Sequence, residues 1–283
     1  MKEKNSNKKN TKKAKIIENV RDIINTGHTG KSENTWNTEI ISGIHSVREA
    51  LRAGKRTIYR IFISDSWTGM RIKKIINSAN NAGILVESTD TKSLDSMTKD
   101  SNHQGIVAKV SLFPIKQVKH ILKQIEKNPK YSFILILDNL EDPHNFGALI
   151  RTALCAGVDC IFIPKDRSVS PLPSVSRASA GAMEHASIAL VTNTVSLIRT
   201  LKNYGFWVAG LDANGSTSIF KADLTGNIAL IVGGEHKGIR PLVKKECDFI
   251  LSLPMEGNIS SLNASVAGGI AIYEVIRQRK LQT

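Results

Sequence analysis

The segment FILILD, residues 133–138, is apolar at five of its six positions. A strand with one wet face alternates apolar and polar residues. A run this continuous belongs to a parallel strand covered on both faces. Parallel neighbours must be joined by crossovers, which are usually helices. The surrounding sequence supplies them. GALIRTALCAG reads as a helix, CIFIP as a strand, and a Ser/Pro-rich loop follows. Then come a helix near 176–184, the strand ASIALVT, a helix near 194–203 and the strand FWVAGLD. IALIVGGE and FILSLPM are further strands, and a closing helix starts near Ala264. The alternation predicts an α/β domain over 131–283, with a mostly parallel sheet and helices on both sides.

A chain of 283 residues has room for a second domain. Upstream, SGIHSVREALRAGK places Ile44, Val47, Ala50 and Leu51 on one helical face. IYRIFIS follows as a strand, MRIKKIINSANNAG as a helix stopped by Gly83, and ILVES and QGIVAKVSLF as two more strands. Residues 39–112 are therefore expected to form a small α/β unit of their own. Residues 113–130 read as a linker that carries a helix. Residues 1–38 lack periodicity, and the first fifteen hold seven Lys and one Glu. That composition predicts a disordered basic arm, or simply a solvated tail. It argues against a transit peptide, being almost without Arg, and no apolar stretch follows to make a signal peptide.

Lys and Arg number 39 against 25 Asp and Glu, a formal net charge of +14. The expected partner is a polyanion, and nucleic acid is the usual one. No apolar run approaches the roughly 18 residues of a membrane span. Cys155, Cys160 and Cys247 show neither paired metal spacing nor a disulfide framework, which fits a reducing cytoplasm. HxE, CxxC and HExxH patterns are missing from the sequence, so no metal is expected.

Sites in parallel sheets lie beyond the carboxyl ends of the strands, and three loops there are unusual. DNLEDPHNFGALIRT (138–152) crowds polar groups into one turn. Asn145 is a candidate helix cap, and Arg151 sits in an otherwise apolar helix. VGGEHKGIR (232–240) is glycine-rich but is neither GxGxxG nor a P-loop. Its glycines could let a ligand approach the backbone, with Glu235 aimed at it, or could merely serve a tight turn. LPMEGNISSLNAS (253–265) is a shaped loop with more Ser and Asn than one helix cap needs. It contains no GxSxG nucleophile elbow.

Together DPHNFGALIRTA, IVGGEHKGI and LPMEGNISSLNASVA resemble, in order and spacing, the three motifs of the SpoU/TrmH family of RNA 2′-O-ribose methyltransferases. The match runs over roughly 133–279. SGIHSVREAL…HQGIVAKV resembles that family's small, ribosomal-protein-like substrate-binding domain, typical of enzymes that methylate a guanosine ribose in 23S rRNA. Gly234 and Ala264 stand where relatives vary, and the basic arm is an addition. The resemblance implies a sheet threaded into a trefoil knot, an S-adenosyl-L-methionine pocket in the knot's loops, a homodimer and an RNA substrate. It implies cofactor binding by Gly233, Gly234, Leu253, Met255, Leu262 and Asn263. The implied reaction site is Asn145, Arg151, Glu235, Ser261 and Asn263, with Arg151 as the family's proposed base. A guanidinium is always protonated in proteins, so Arg151 could instead bind a phosphate or stabilise an alkoxide, leaving the proton to Glu235 or water. Two alternatives stand beside 23S rRNA methylation: a tRNA 2′-O-methyltransferase, and an RNA-binding protein without catalysis.

Overall fold

The apolar runs become strands, and the faces they bury set the layers. The computed structural model describes residues 38–67, 69–98, 102–127, 131–166, 168–235 and 237–282. The expected basic arm, apart from Thr38, lies outside the described residues. The chain divides into two compact units, the first ending at Leu112 and the second beginning at Phe113.

The first unit contains β1 (Thr38–Ser42), α1 (Ile44–Ala53), β2 (Ile58–Ser64), α2 (Met70–Asn81), β3 (Val86–Thr89), α3 (Thr91–Thr98) and β4 (Ile106–Ser111). Its sheet order is β1-β4-β2-β3, with β2 and β3 parallel and the other pairs antiparallel. Ile44, Val47 and Ala50 of α1 and Ile72, Ile75 and Ala79 of α2 pack on one face of this sheet. α1 begins without a cap from its own sequence. Gln104, held in the left-handed region at φ 53°, turns its side-chain oxygen to accept the Ile44 N–H at 3.1 Å.

The second unit continues with α4 (Val118–Glu126), β5 (Phe133–Asp138), α5 (Pro143–Cys155), β6 (Cys160–Pro164), α6 (Pro173–Ala178), β7 (Ile188–Val191) and α7 (Thr194–Asn203). It ends with β8 (Trp207–Leu211), β9 (Thr217–Ser218), β10 (Ile228–Gly233), α8 (Pro241–Glu246), β11 (Phe249–Ser252) and α9 (Ala264–Lys280). The seven strands run in the order β7-β6-β5-β10-β8-β11-β9, and every described pairing is parallel. FILILD sits inside this sheet and serves two cores. Leu135 and Leu137 face α5, α6 and α9, while Ile134 and Ile136 face α4, α7 and α8. The helix expected within the linker thus places Ile121 and Leu122 in this unit's core, and Phe113 joins the opposite one. The helix expected near 176–184 is divided. α6 stops at Ala178, and a short 3₁₀ turn covers Ala182–His185 after Gly181 at φ 81°.

Candidate active site

β5, β8, β10 and β11 end side by side, and the three unusual loops leave from those ends. The second and third loops, with the end of β8, enclose a cavity of about 470 Å³ lined by Gly233, Gly234, Glu235, Leu253, Met255, Ser261, Leu262 and Asn263. A second cavity, of about 390 Å³, is walled by Asn139, Glu141, Asp142 and Asn145. Glu235 and Lys237 line both. Arg151 lines neither. It is exposed on α5, between the buried Ile150 and Ala153.

Glu235 joins the motifs. The Asn145 Nδ2 donates to its Oε1 at 2.6 Å, and the Asn263 Nδ2 donates to the same oxygen at 2.5 Å. A carboxylate only accepts, so both amides must present their NH₂ groups. Asn263 is pinned at its other end as well. Its Oδ1 caps α9, accepting from the Ser265 amide at 2.9 Å and the Val266 amide at 3.3 Å. One amide side chain therefore starts the last helix and orients the site carboxylate.

Asn145 does not cap α5, contrary to the simplest reading of its position. Asp142 does, accepting from the amides of His144 and Asn145, with Pro143 in the first turn. Asn145 is the third residue of the helix, within its first turn, and its side chain is free for Glu235.

The glycines of the second loop answer to backbone packing before any ligand. A Cβ on Gly233 would lie 2.3 Å from the Gly238 carbonyl carbon, and one on Gly234 would lie 2.1 Å from the Asn139 carbonyl oxygen. A larger residue at 233 therefore unseats the loop and cannot serve as a selective probe of cofactor binding. The Gly234 amide donates to the Asp138 carbonyl, and the Gly238 amide to the Gly234 carbonyl.

Two acids here take roles that the sequence did not assign. Asp138, the last residue of β5, is fully buried. It accepts from Arg240 three times: from the backbone amide at 3.0 Å, from Nε at 2.9 Å and from a terminal guanidinium nitrogen at 2.5 Å. That guanidinium also donates to Thr194 at 2.8 Å. The pair clamps both ends of the glycine loop to β5. Asp212, just beyond β8, lines the larger cavity and is paired with Lys244 at 2.9 Å. Burial alone would raise its carboxyl, but the Lys244 ammonium and the Asn214 amide outweigh burial and hold it below the ordinary carboxylate value. A strand end followed by an acid was the available signal for both residues. Among the described residues no cluster of His, Cys, Asp or Glu could hold a metal. No described helix is long and apolar enough to cross a membrane.

A parallel α/β sheet with a cavity of this size at its strand ends is the usual setting of a nucleotide-binding enzyme site. The comparisons narrow it. Residues 132–273 match the SpoU rRNA Methylase family, and residues 40–115 match the RNA 2′-O ribose methyltransferase substrate binding domain. A protein of Staphylococcus saprophyticus assigned to the TrmH family of tRNA/rRNA methyltransferases is 40% identical over 240 residues, covering 85% of this chain and 96% of the relative. Two solved structures share the fold. One is the SpoU methyltransferase AviRb from Streptomyces viridochromogenes with AdoMet, at TM-score 0.72 and 20% identity over 86% of this chain and 91% of that one. The other is an AdoMet-bound rRNA methyltransferase from Sinorhizobium meliloti, at TM-score 0.71 and 23% identity over 93% and 94%. The chain belongs to the SpoU rRNA methylase family of RNA methyltransferases.

Proposed function

We propose that this chain transfers a methyl group from S-adenosylmethionine to a ribose 2′-hydroxyl of RNA, at a guanosine of 23S rRNA. The observation that carries this reading is Glu235. It stands between two cavities, and amides from the first and third motifs fix one of its oxygens. The arrangement suits a methyl donor on one side and an acceptor nucleotide on the other.

The larger cavity fits the donor in size and chemistry. Its volume is in the range of nucleotide sites. Leu253, Met255 and Leu262 offer apolar and main-chain surface to an adenosine, with Gly233, Gly234 and Ser261 beside them. The carboxylate of Glu235 suits a cation. When bound, S-adenosylmethionine supplies a methyl on a positively charged sulfur, already activated for displacement. The protein's task is then to align the ribose oxygen at roughly 3–3.5 Å and to receive its proton. Glu235 Oε2 has no partner among the described residues and is the acceptor of that proton. Arg151, always charged and exposed, holds an RNA phosphate rather than acting as base.

The first unit selects the RNA, which the substrate-binding match over 40–115 supports. The protein works as a homodimer. Val266, Ile270 and Tyr273 form an exposed stripe on α9 at spacings of four and three residues, which suits a second copy. A knotted path through the second sheet belongs to the same reading.

The test is methyl incorporation from labelled S-adenosylmethionine into deproteinised 23S rRNA and, separately, into tRNA, with the modified nucleotide mapped. We expect a single 2′-O-methylguanosine in 23S rRNA. Transfer to tRNA alone would move the target, and cofactor binding without transfer to any RNA would overturn the catalytic reading.

A further inference from the structure

We propose that Asp212 is the residue that accepts the ribose hydroxyls of the cofactor, and so selects a ribonucleoside donor; this rests on reading the larger cavity as the S-adenosylmethionine site. Asp212 is set rigidly at the end of β8. Its amide donates to the Leu251 carbonyl at 2.9 Å, and its carbonyl accepts the Gly215 amide at 3.0 Å. Gly215 cannot carry a side chain here, since a Cβ would lie 2.6 Å from the Leu251 carbonyl carbon. The turn after β8 is thus seated against β11, and the carboxylate has a fixed place on the cavity wall.

The carboxylate has about four lone-pair sites. One oxygen accepts the Asn214 amide at 2.9 Å, and the other receives Lys244 at 2.9 Å. About half the acceptor capacity is left. The cavity's other carboxylate, Glu235, is committed to Asn145 and Asn263 at the border with the second cavity. The donor offers four kinds of partner to a carboxylate: a sulfonium, an α-ammonium, the adenine amino group and a vicinal pair of hydroxyls. Lys244 already neutralises the charge of Asp212, which weakens its pull on either cation but leaves its lone pairs available. Neutral donors are therefore the matched ligands, and among these the vicinal hydroxyls suit the lone-pair sites that remain, about one on each oxygen.

The test measures binding, not turnover. Calorimetry compares S-adenosylhomocysteine with its 2′-deoxy and 3′-deoxy counterparts on the full chain, for the wild type, Asp212→Ala and Lys244→Met. The wild type should prefer the ribose form over at least one deoxy form by roughly ten- to a hundredfold, as expected for a hydrogen bond to a charged group. Asp212→Ala should weaken the ribose form and barely change that deoxy form, so that the preference collapses. Lys244→Met should keep it. A loop that is merely loosened would weaken all three ligands alike, and that result overturns the proposal. So does a wild type that does not discriminate, or an Asp212→Ala protein that still does. If Asp212→Ala fails to fold, Asp212→Asn keeps an oxygen for the Asn214 amide and is judged by the same loss of preference. A wild type that binds no S-adenosylhomocysteine would overturn the cofactor site, and this assignment with it.

Discussion

Asp138 and Glu235 are two carboxylates at the carboxyl ends of neighbouring strands, and they do opposite things. Asp138 stands opposite Gly233 in the β5–β10 register, wholly buried, with its charge matched by Arg240. Glu235, two residues beyond Gly233, is exposed and receives only neutral amides among the described residues. A buried charge must be paired to exist at all. A site charge is useful because its partners orient it without neutralising it. The same sheet end therefore carries one acid that holds the loop and one that the loop holds out to a ligand.

That contrast breaks or sharpens under substitution. The largest effect should come from Glu235→Gln. Methyl transfer should fall by about 10²- to 10⁴-fold, the usual range for a positioned proton acceptor, while thermal unfolding shifts little. Single-turnover methylation near wild type would put the proton elsewhere. Arg240→Met should do the reverse. Leaving Asp138 buried and unmatched should cost about 3–5 kcal/mol of stability, read by denaturant unfolding. A loss below ~1 kcal/mol would mean that Asp138 finds water or another partner. The smallest effect concerns Asp212, the intermediate case, which is paired yet on the cavity wall. Its folded carboxyl titrates below the ordinary carboxylate value. It therefore adds stability that is fully present above that ordinary value and is lost as pH falls through the lowered one. Asp212→Asn should flatten the acid limb of the stability–pH curve slightly and leave the neutral region parallel. An unchanged acid limb would remove the pairing with Lys244 from the stability of the loop.

The strands were legible because burial on both faces removes polar residues from the run itself, as in FILILD. TEIIS was not, since only Ile40 and Ile41 mark it and its pairing with β4 decides the rest. The three loops were legible as loops, and most of the residues expected in them share one cavity. The capping reading of Asn145 fails because two Asx residues compete for one cap. Pro143, immediately after Asp142, was the local signal that settles it. The clamp between Asp138 and Arg240 joins residues 102 apart in sequence, and no local pattern encodes a contact that exists only when the sheet closes. Arg151 presents the limit from the other side. Its sequence position marks it for the site, yet within one chain it stands outside both cavities.

α9 ties the two ends of the sheet together. At its start Asn263 holds Glu235, and in its last turn Arg279 donates to the carbonyls of Tyr131, Ser132 and Gly226, just before β5 and β10 begin. Seventeen residues of helix span about 25 Å. The helix is thus a strut anchored at both ends, and the Glu235 carboxylate is braced from the opposite end of the sheet. Loosening the anchor at Arg279 would let the strut pivot. The motion would be felt a full helix length away, at the one oxygen that two asparagines share.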